Sequence, residues 1–297
     1  MSKTTVTVGD LTSRRVREPE AIAQAWRTRR PGAIPPDGRL MIIAADHPAR
    51  GALGVRGDAY AMASRAGLLE RLAEALSRPG VDGVLGTADI LEDLLLMGLL
   101  EGRIVFGSMN RGGLQGSEFE FDDRWTGYDV ATIADNRLEG GKMLTRISLE
   151  DPSTASVLEC SGKAVTELAR RGLIAMVEPF LSRRLPDRRA QNLLDPDSVI
   201  KSINIAAGLG ASSAYTWLKL PVVAEMDRVL AATTLPTLLL GGDPSGDPEG
   251  MYRQWADALA QPAARGLVVG RAMLYPASGA PADAVDTAVS LVHGGGK

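Results

Sequence analysis

Three side chains in this sequence have the types and spacing for covalent chemistry on a carbonyl group. Lys219 follows the apolar run Ala214-Tyr215-Thr216-Trp217-Leu218, Lys142 lies in the run Gly141 to Ile147, and Glu178 stands before Pro179 at the end of the run from Leu173. Residues two apart on a strand share a face, which groups Lys142 with Leu144 and Arg146, Met176 with Glu178, and Trp217 with Lys219. If those faces line a barrel, two amines and a carboxylate meet in a partly dry volume, where charges must pair or shift their pKa values. A lysine amine, with a pKa of about 10.4, must shed its proton before it attacks a carbonyl. Burial and a second cation both favour that loss. Lys142 is the candidate second cation, and Glu178 can carry protons through carbinolamine dehydration and carbon–carbon cleavage. The plainer readings are a solvated rim charge for Lys219, a cross-strand ion pair for Lys142 and Glu178, a loop cap for Asp46 and a rim histidine for His47.

Positioning these groups needs a parallel sheet. Short apolar runs bounded by Gly, Asp or Pro alternate with segments of helical period, the signature of repeated βα units. Eight strands are expected: 40–45, 83–86, 103–107, 141–147, 173–179, 214–218, 237–240 and 266–269. Helices are expected near 60–77, 90–100, 129–136, 153–171, 196–209, 222–232, 248–260 and 282–292. The fold class is therefore α/β, a (β/α)8 barrel spanning residues 39–297, with residues 1–38 as an extension that caps its bottom and carries one helix near Glu18 to Arg27. An open dinucleotide-binding sheet would need a Gly-x-Gly-x-x-Gly turn after its first strand, where this chain has Ala45-Asp46-His47-Pro48.

Active sites of such barrels lie at the C-terminal strand ends. Here these carry Asp46 and His47, Lys142 and Arg146, Glu178, Lys219, the Gly241-Gly242-Asp243 turn, and Gly270-Arg271. Glycine-rich loops after the seventh and eighth strands recur as phosphate sites. Gly241, Gly242, Gly270 and Arg271 are accordingly the expected phosphate ligands, and Asp243 suits the anion only if it faces outward.

Composition narrows the rest. The 297 residues are 45% hydrophobic and 23% charged, with a formal net charge of −3 and 4% aromatic residues, which disfavours disorder, nucleic-acid partners and anionic membranes. A small phosphorylated molecule is the expected partner. One cysteine, Cys160, allows no internal disulfide, and no run approaches the length of a membrane helix; a cytoplasmic protein is expected, and a homo-oligomer by base rate. Two histidines, His47 and His293, are too few for a zinc-dependent aldol site, so no metal or other cofactor is expected.

These motifs together resemble the class I aldolase superfamily, most closely its tagatose-bisphosphate, sulfofructose-phosphate and archaeal-type fructose-bisphosphate members. The resemblance rests on Ala45-Asp46, Gly141-Lys142-Met143-Leu144, Val177-Glu178-Pro179, Trp217-Leu218-Lys219 and Val269-Gly270-Arg271-Ala272, in this order. It implies that Lys219 forms an imine, that Glu178 and Lys142 manage protons, that Asp46 orients substrate hydroxyls, and that Gly242, Gly270 and Arg271 hold phosphate. The chain departs from that pattern with Asp46-His47-Pro48 and with Arg146 where an aromatic residue is common. It also looks like an actinobacterial aldolase-like barrel linked to inositol catabolism. That likeness implies 5-dehydro-2-deoxygluconate 6-phosphate as substrate, dihydroxyacetone phosphate as a product, and Arg146 or Arg183 against the carboxylate. Fructose bisphosphate, tagatose bisphosphate and deoxyribose phosphate stay open as substrates. So do a phosphosugar isomerase or epimerase and a noncatalytic ligand-binding barrel.

Overall fold

The computed structural model describes residues 6–187, 189–241 and 247–294. Its strands are β1 (Leu40–Ala44), β2 (Gly83–Gly86), β3 (Ile104–Ser108), β4 (Gly140–Ile147), β5 (Ile174–Arg184), β6 (Ala190–Asn192), β7 (Thr216–Leu220), β8 (Thr237–Leu240) and β9 (Ala264–Val269). Parallel pairing runs from β1 through β5 to β7, β8 and β9, and β9 pairs back onto β1. The result is a closed eight-stranded parallel barrel surrounded by helices, a (β/α)8 or TIM barrel. β6 stands outside it, antiparallel to the end of β5.

Alternation along each strand builds two apolar layers. Leu40, Ile42 and Ala44 of β1 point inward with Phe106, Met176, Leu238 and Val268, while Met41 and Ile43 pack outward with the helix residues Leu72, Leu94 and Val285. Inward Met176 precedes Glu178 by two residues, and Trp217, packed on the inner layer, precedes Lys219 by two. The expected inward face is the observed one.

Several boundaries differ from the sequence reading, each for a local reason. β7 begins at Thr216 and continues through Leu220, so Lys219 lies within the strand, level with Leu238 of β8. β5 does not stop at Pro179 but runs on to Arg184. Pro179 lies beyond the last pairing with β7 at Val177, on an open edge that tolerates a residue without an N–H. The helix expected from Tyr60 starts at Arg65, where the Ser64 side chain accepts the N–H of Gly67. The extension holds two helices, Val8–Arg17 and Glu20–Thr28, not one; the first begins with a Thr7/Asp10 capping box. Its buried Arg29 donates to the carbonyl of Arg103 at 2.9 Å and pairs with Glu139 at 3.1 Å, beside the starts of β3 and β4. No helix among the described residues is long and apolar enough to cross a membrane.

One glycine shows how tightly the barrel closes. Gly266 of β9 has φ +131°, and a Cβ there would lie 1.9 Å from the carbonyl oxygen of Leu40, at the seam where β9 meets β1. Gly266→Ala is therefore expected to cost at least about 1 kcal/mol, measurable as a lower urea midpoint with an unchanged slope.

Candidate active site

A cavity of about 550 Å³ opens at the C-terminal ends of the strands, within the range that holds small ligands. Lys142, Glu178 and Lys219 line it, as do Asp46, His47, Arg146, Gly241, Gly270 and Arg271. Arg183 is elsewhere. Its side chain is exposed on the β5–β6 hairpin and donates to Gln191 Oε1 at 2.8 Å, because the unforeseen run of β5 past Pro179 carries it out beyond the cavity. Gly242 and Asp243 fall outside the described residues.

Glu178 is the centre of the site. It is buried, and its two oxygens are divided between the two amines: Oε1 is 2.9 Å from Lys219 Nζ, and Oε2 contacts Lys142 Nζ. Burial favours the neutral acid, but Lys142 and Lys219 outweigh it and hold the Glu178 carboxyl well below its ordinary range. Lys142 is fully enclosed on β4. Loss of water drives its pKa well below the ordinary lysine value against the pull of Glu178, with Arg111 and Lys219 adding to the lowering. Strand register sets this geometry, since Lys142 is level with Met176 on β5, and Met176 with Trp217 on β7. Each polar residue thus stands two positions beyond an apolar residue of the inner layer or level with one.

Asp46, just beyond β1, is also buried and heavily engaged. Arg111 contacts its Oδ2, Lys142 Nζ lies 3.4 Å away, and Ser108 Oγ donates to it at 3.3 Å. This carboxylate fixes protein cations first. His47 is half-buried, with a buried Nδ1 that has no hydrogen-bond partner among the described residues. Burial, Arg271 and Lys219 lower its pKa to about 3, so the imidazole is neutral at physiological pH. Gly270 must lack a side chain, because a Cβ would lie 2.4 Å from the carbonyl oxygen of Ala44. Arg271 Nη1 donates to the Gly54 carbonyl at 3.4 Å.

The connection after β3, residues 109–129, supplies site residues that the sequence reading missed. Asn110 clamps onto β4, donating to the Leu144 carbonyl at 2.6 Å and accepting the Leu144 N–H at 2.8 Å. The clamp delivers Arg111 to Asp46, where burial lowers the guanidinium pKa to about 10. Arg50, after β1, reaches Asp123 of the same connection, and Arg146 donates to its Glu120 at 2.7 Å. The available signal was an unusually long, acid-rich stretch between a strand and a short helix. No group of three or more His, Cys, Asp or Glu side chains among the described residues is placed to hold a metal ion.

Fold and site together define a (β/α)8 barrel with a lysine–glutamate–lysine cluster buried towards the C-terminal ends of its strands. The Cgl0159-like family model matches residues 38–289, and the chain belongs to that family. The crystal structure of Cgl0159 from Corynebacterium glutamicum is 53% identical, with a TM-score of 0.93 over 96% of each chain. An archaeal fructose-1,6-bisphosphate aldolase, solved with its catalytic Lys covalently bound to the carbinolamine intermediate, is 17% identical with a TM-score of 0.61, over 91% of this chain and 99% of that one. A fructose-bisphosphate aldolase from Slackia heliotrinireducens is 16% identical with a TM-score of 0.63, over 99% of this chain and 95% of that one. These two share the barrel fold. No curated protein matches the sequence.

Proposed function

We propose that the chain is a class I aldolase that cleaves a phosphorylated keto-sugar or keto-acid through an imine on Lys219. The observation that carries this reading is the buried cluster in which Lys219 Nζ sits 2.9 Å from Glu178 Oε1 while Lys142 holds the other oxygen. Lys142, whose amine sheds its proton readily, takes the proton of the Lys219 ammonium by way of the Glu178 carboxylate that bridges them, and the free amine attacks the ketone carbon. Proton delivery to the carbinolamine hydroxyl then expels water and leaves an iminium. The iminium draws in the electron pair of the adjacent carbon–carbon bond as a substrate hydroxyl loses its proton. The aldehyde leaves, and protonation and hydrolysis of the enamine release the ketone, dihydroxyacetone phosphate or a related fragment, and regenerate the amine. Glu178, ionised between two lysines, is suited to carry these protons, and easy deprotonation of Lys142 lets it relay them.

The phosphate belongs against the backbone of Gly241 and Gly270 and the guanidinium of Arg271, which line the same cavity. The likeness in fold to a barrel with a lysine-bound carbinolamine supports the same chemistry here. The first candidate substrate is 5-dehydro-2-deoxygluconate 6-phosphate, with fructose bisphosphate, tagatose bisphosphate and deoxyribose phosphate as the alternatives. Borohydride reduction during turnover tests the proposal: a mass adduct confined to the peptide carrying Lys219 is expected, and turnover with no adduct overturns it.

A further inference from the structure

The imine reading leaves one wall of the cavity without a role. Arg50, Arg111 and Arg146 reach it from three separate segments, the turn after β1, the connection after β3, and β4. Two buried carboxylates stand behind them: Asp123 meets Arg50, and Glu120 meets Arg146. The connection folds around these acids, with the Gly113 N–H donating to Asp123 at 3.1 Å and the Gly116 N–H to Glu120 at 2.9 Å. Two guanidinium nitrogens remain buried without a hydrogen-bond partner among the described residues, Nη2 of Arg50 and Nε of Arg146. Donors left so are costly, and both belong to residues that line the cavity.

Charge decides what the wall can take. Apart from Arg271, the site holds three guanidiniums, Arg50, Arg111 and Arg146, and two amines, Lys219 and the readily deprotonated Lys142, against four buried carboxylates, Asp46, Glu120, Asp123 and Glu178. Asp247, also on the lining, is exposed and caps its own helix by accepting the Gly250 N–H at 2.9 Å. At most one positive charge is left over, so a second phosphate dianion would bring more negative charge than this enclosed wall offsets. A carboxylate brings one. Its two oxygens also suit the planar donor fork of a guanidinium.

We infer that Arg50, Arg111 and Arg146 form a second anion subsite built for a carboxylate, so that the substrate is a ketone phosphorylated at one end and carboxylated at the other, not a ketose bisphosphate. The inference rests on the imine reading of Lys219. The test compares kcat/KM for a six-carbon keto-acid phosphate with that for its primary amide, in the wild type and in Arg146→Gln, with a ketose bisphosphate as third substrate. The wild type is expected to prefer the acid over the amide by about tenfold to a hundredfold, the range of one charged hydrogen-bonded contact. Arg146→Gln is expected to lose most of that preference while still turning over the amide. Equal use of acid and amide by the wild type, or a higher kcat/KM for the bisphosphate, overturns the carboxylate subsite. Borohydride trapping of dihydroxyacetone phosphate on wild-type Lys219 separates the two levels: an adduct alongside either of those results leaves the imine standing, whereas no adduct removes both.

Discussion

Lys219→Arg is expected to abolish carbon–carbon cleavage, with kcat falling by about four orders of magnitude or more, the scale of losing a covalent nucleophile. Arginine keeps the positive charge beside Glu178, but a guanidinium stays protonated and does not add to a ketone. The substitution therefore separates nucleophilicity from charge. A phosphosugar isomerase that used Lys219 only to stabilise an enediolate would retain measurable turnover in Lys219→Arg. A noncatalytic binding barrel would bind ligand in both proteins and turn over in neither. Steady-state assays with a triose-phosphate coupling enzyme, alongside calorimetric binding, distinguish the three outcomes. Far-UV circular dichroism shows whether the variant remains folded.

Glu178→Gln is expected to lower kcat by about a hundredfold to ten-thousandfold, the contribution of a positioned proton carrier. It should also destabilise the protein by about 3 to 5 kcal/mol, the penalty for stripping buried charges of their partner. The amide preserves the shape of the carboxylate, but it accepts no proton and leaves Lys142 and Lys219 without their shared anion. The wild-type pH profile follows from the same cluster. Glu178 is held below its ordinary value in the folded protein, so its stabilising contribution is complete above the unfolded-state pKa of about 4.3 and is lost as pH falls towards the folded value. Chemical denaturation from pH 7 down to pH 3 should show wild-type stability declining below about pH 4.3. That component of the decline should be absent from Glu178→Gln.

Much of this architecture was legible in the residues because period and punctuation agree. Eight apolar runs, separated by helical segments, favour a closed parallel sheet, and the two-residue spacing of Met176 with Glu178 and of Trp217 with Lys219 showed which residues share a face. What escaped was non-local. Pro179 looked like a terminator because a proline usually ends a pairing, yet β5 continues there on an open edge, and that extension removes Arg183 from the site. Lys142 was expected as a second cation beside Lys219, with a cross-strand ion pair to Glu178 as the plainer reading; the structure has that pair, and Glu178 bridges both amines. Arg50, Arg111, Asp123 and Glu120 carried no recognisable spacing, since they meet only after residues 109–129 fold back over the barrel mouth. Asn110 fixes that fold through two hydrogen bonds to Leu144, a contact that no one-dimensional pattern encodes.

The central claim is that Lys219 becomes covalently joined to the substrate, and a crystal structure of the wild type soaked with dihydroxyacetone phosphate tests it most directly. Continuous density from Lys219 Nζ to the ketone carbon is expected, with Glu178 within hydrogen-bonding distance of the new bond and the phosphate against Gly270 and Arg271. A ligand fully occupied in the cavity, with its carbonyl carbon separated from Lys219 Nζ by a van der Waals gap, would contradict the account.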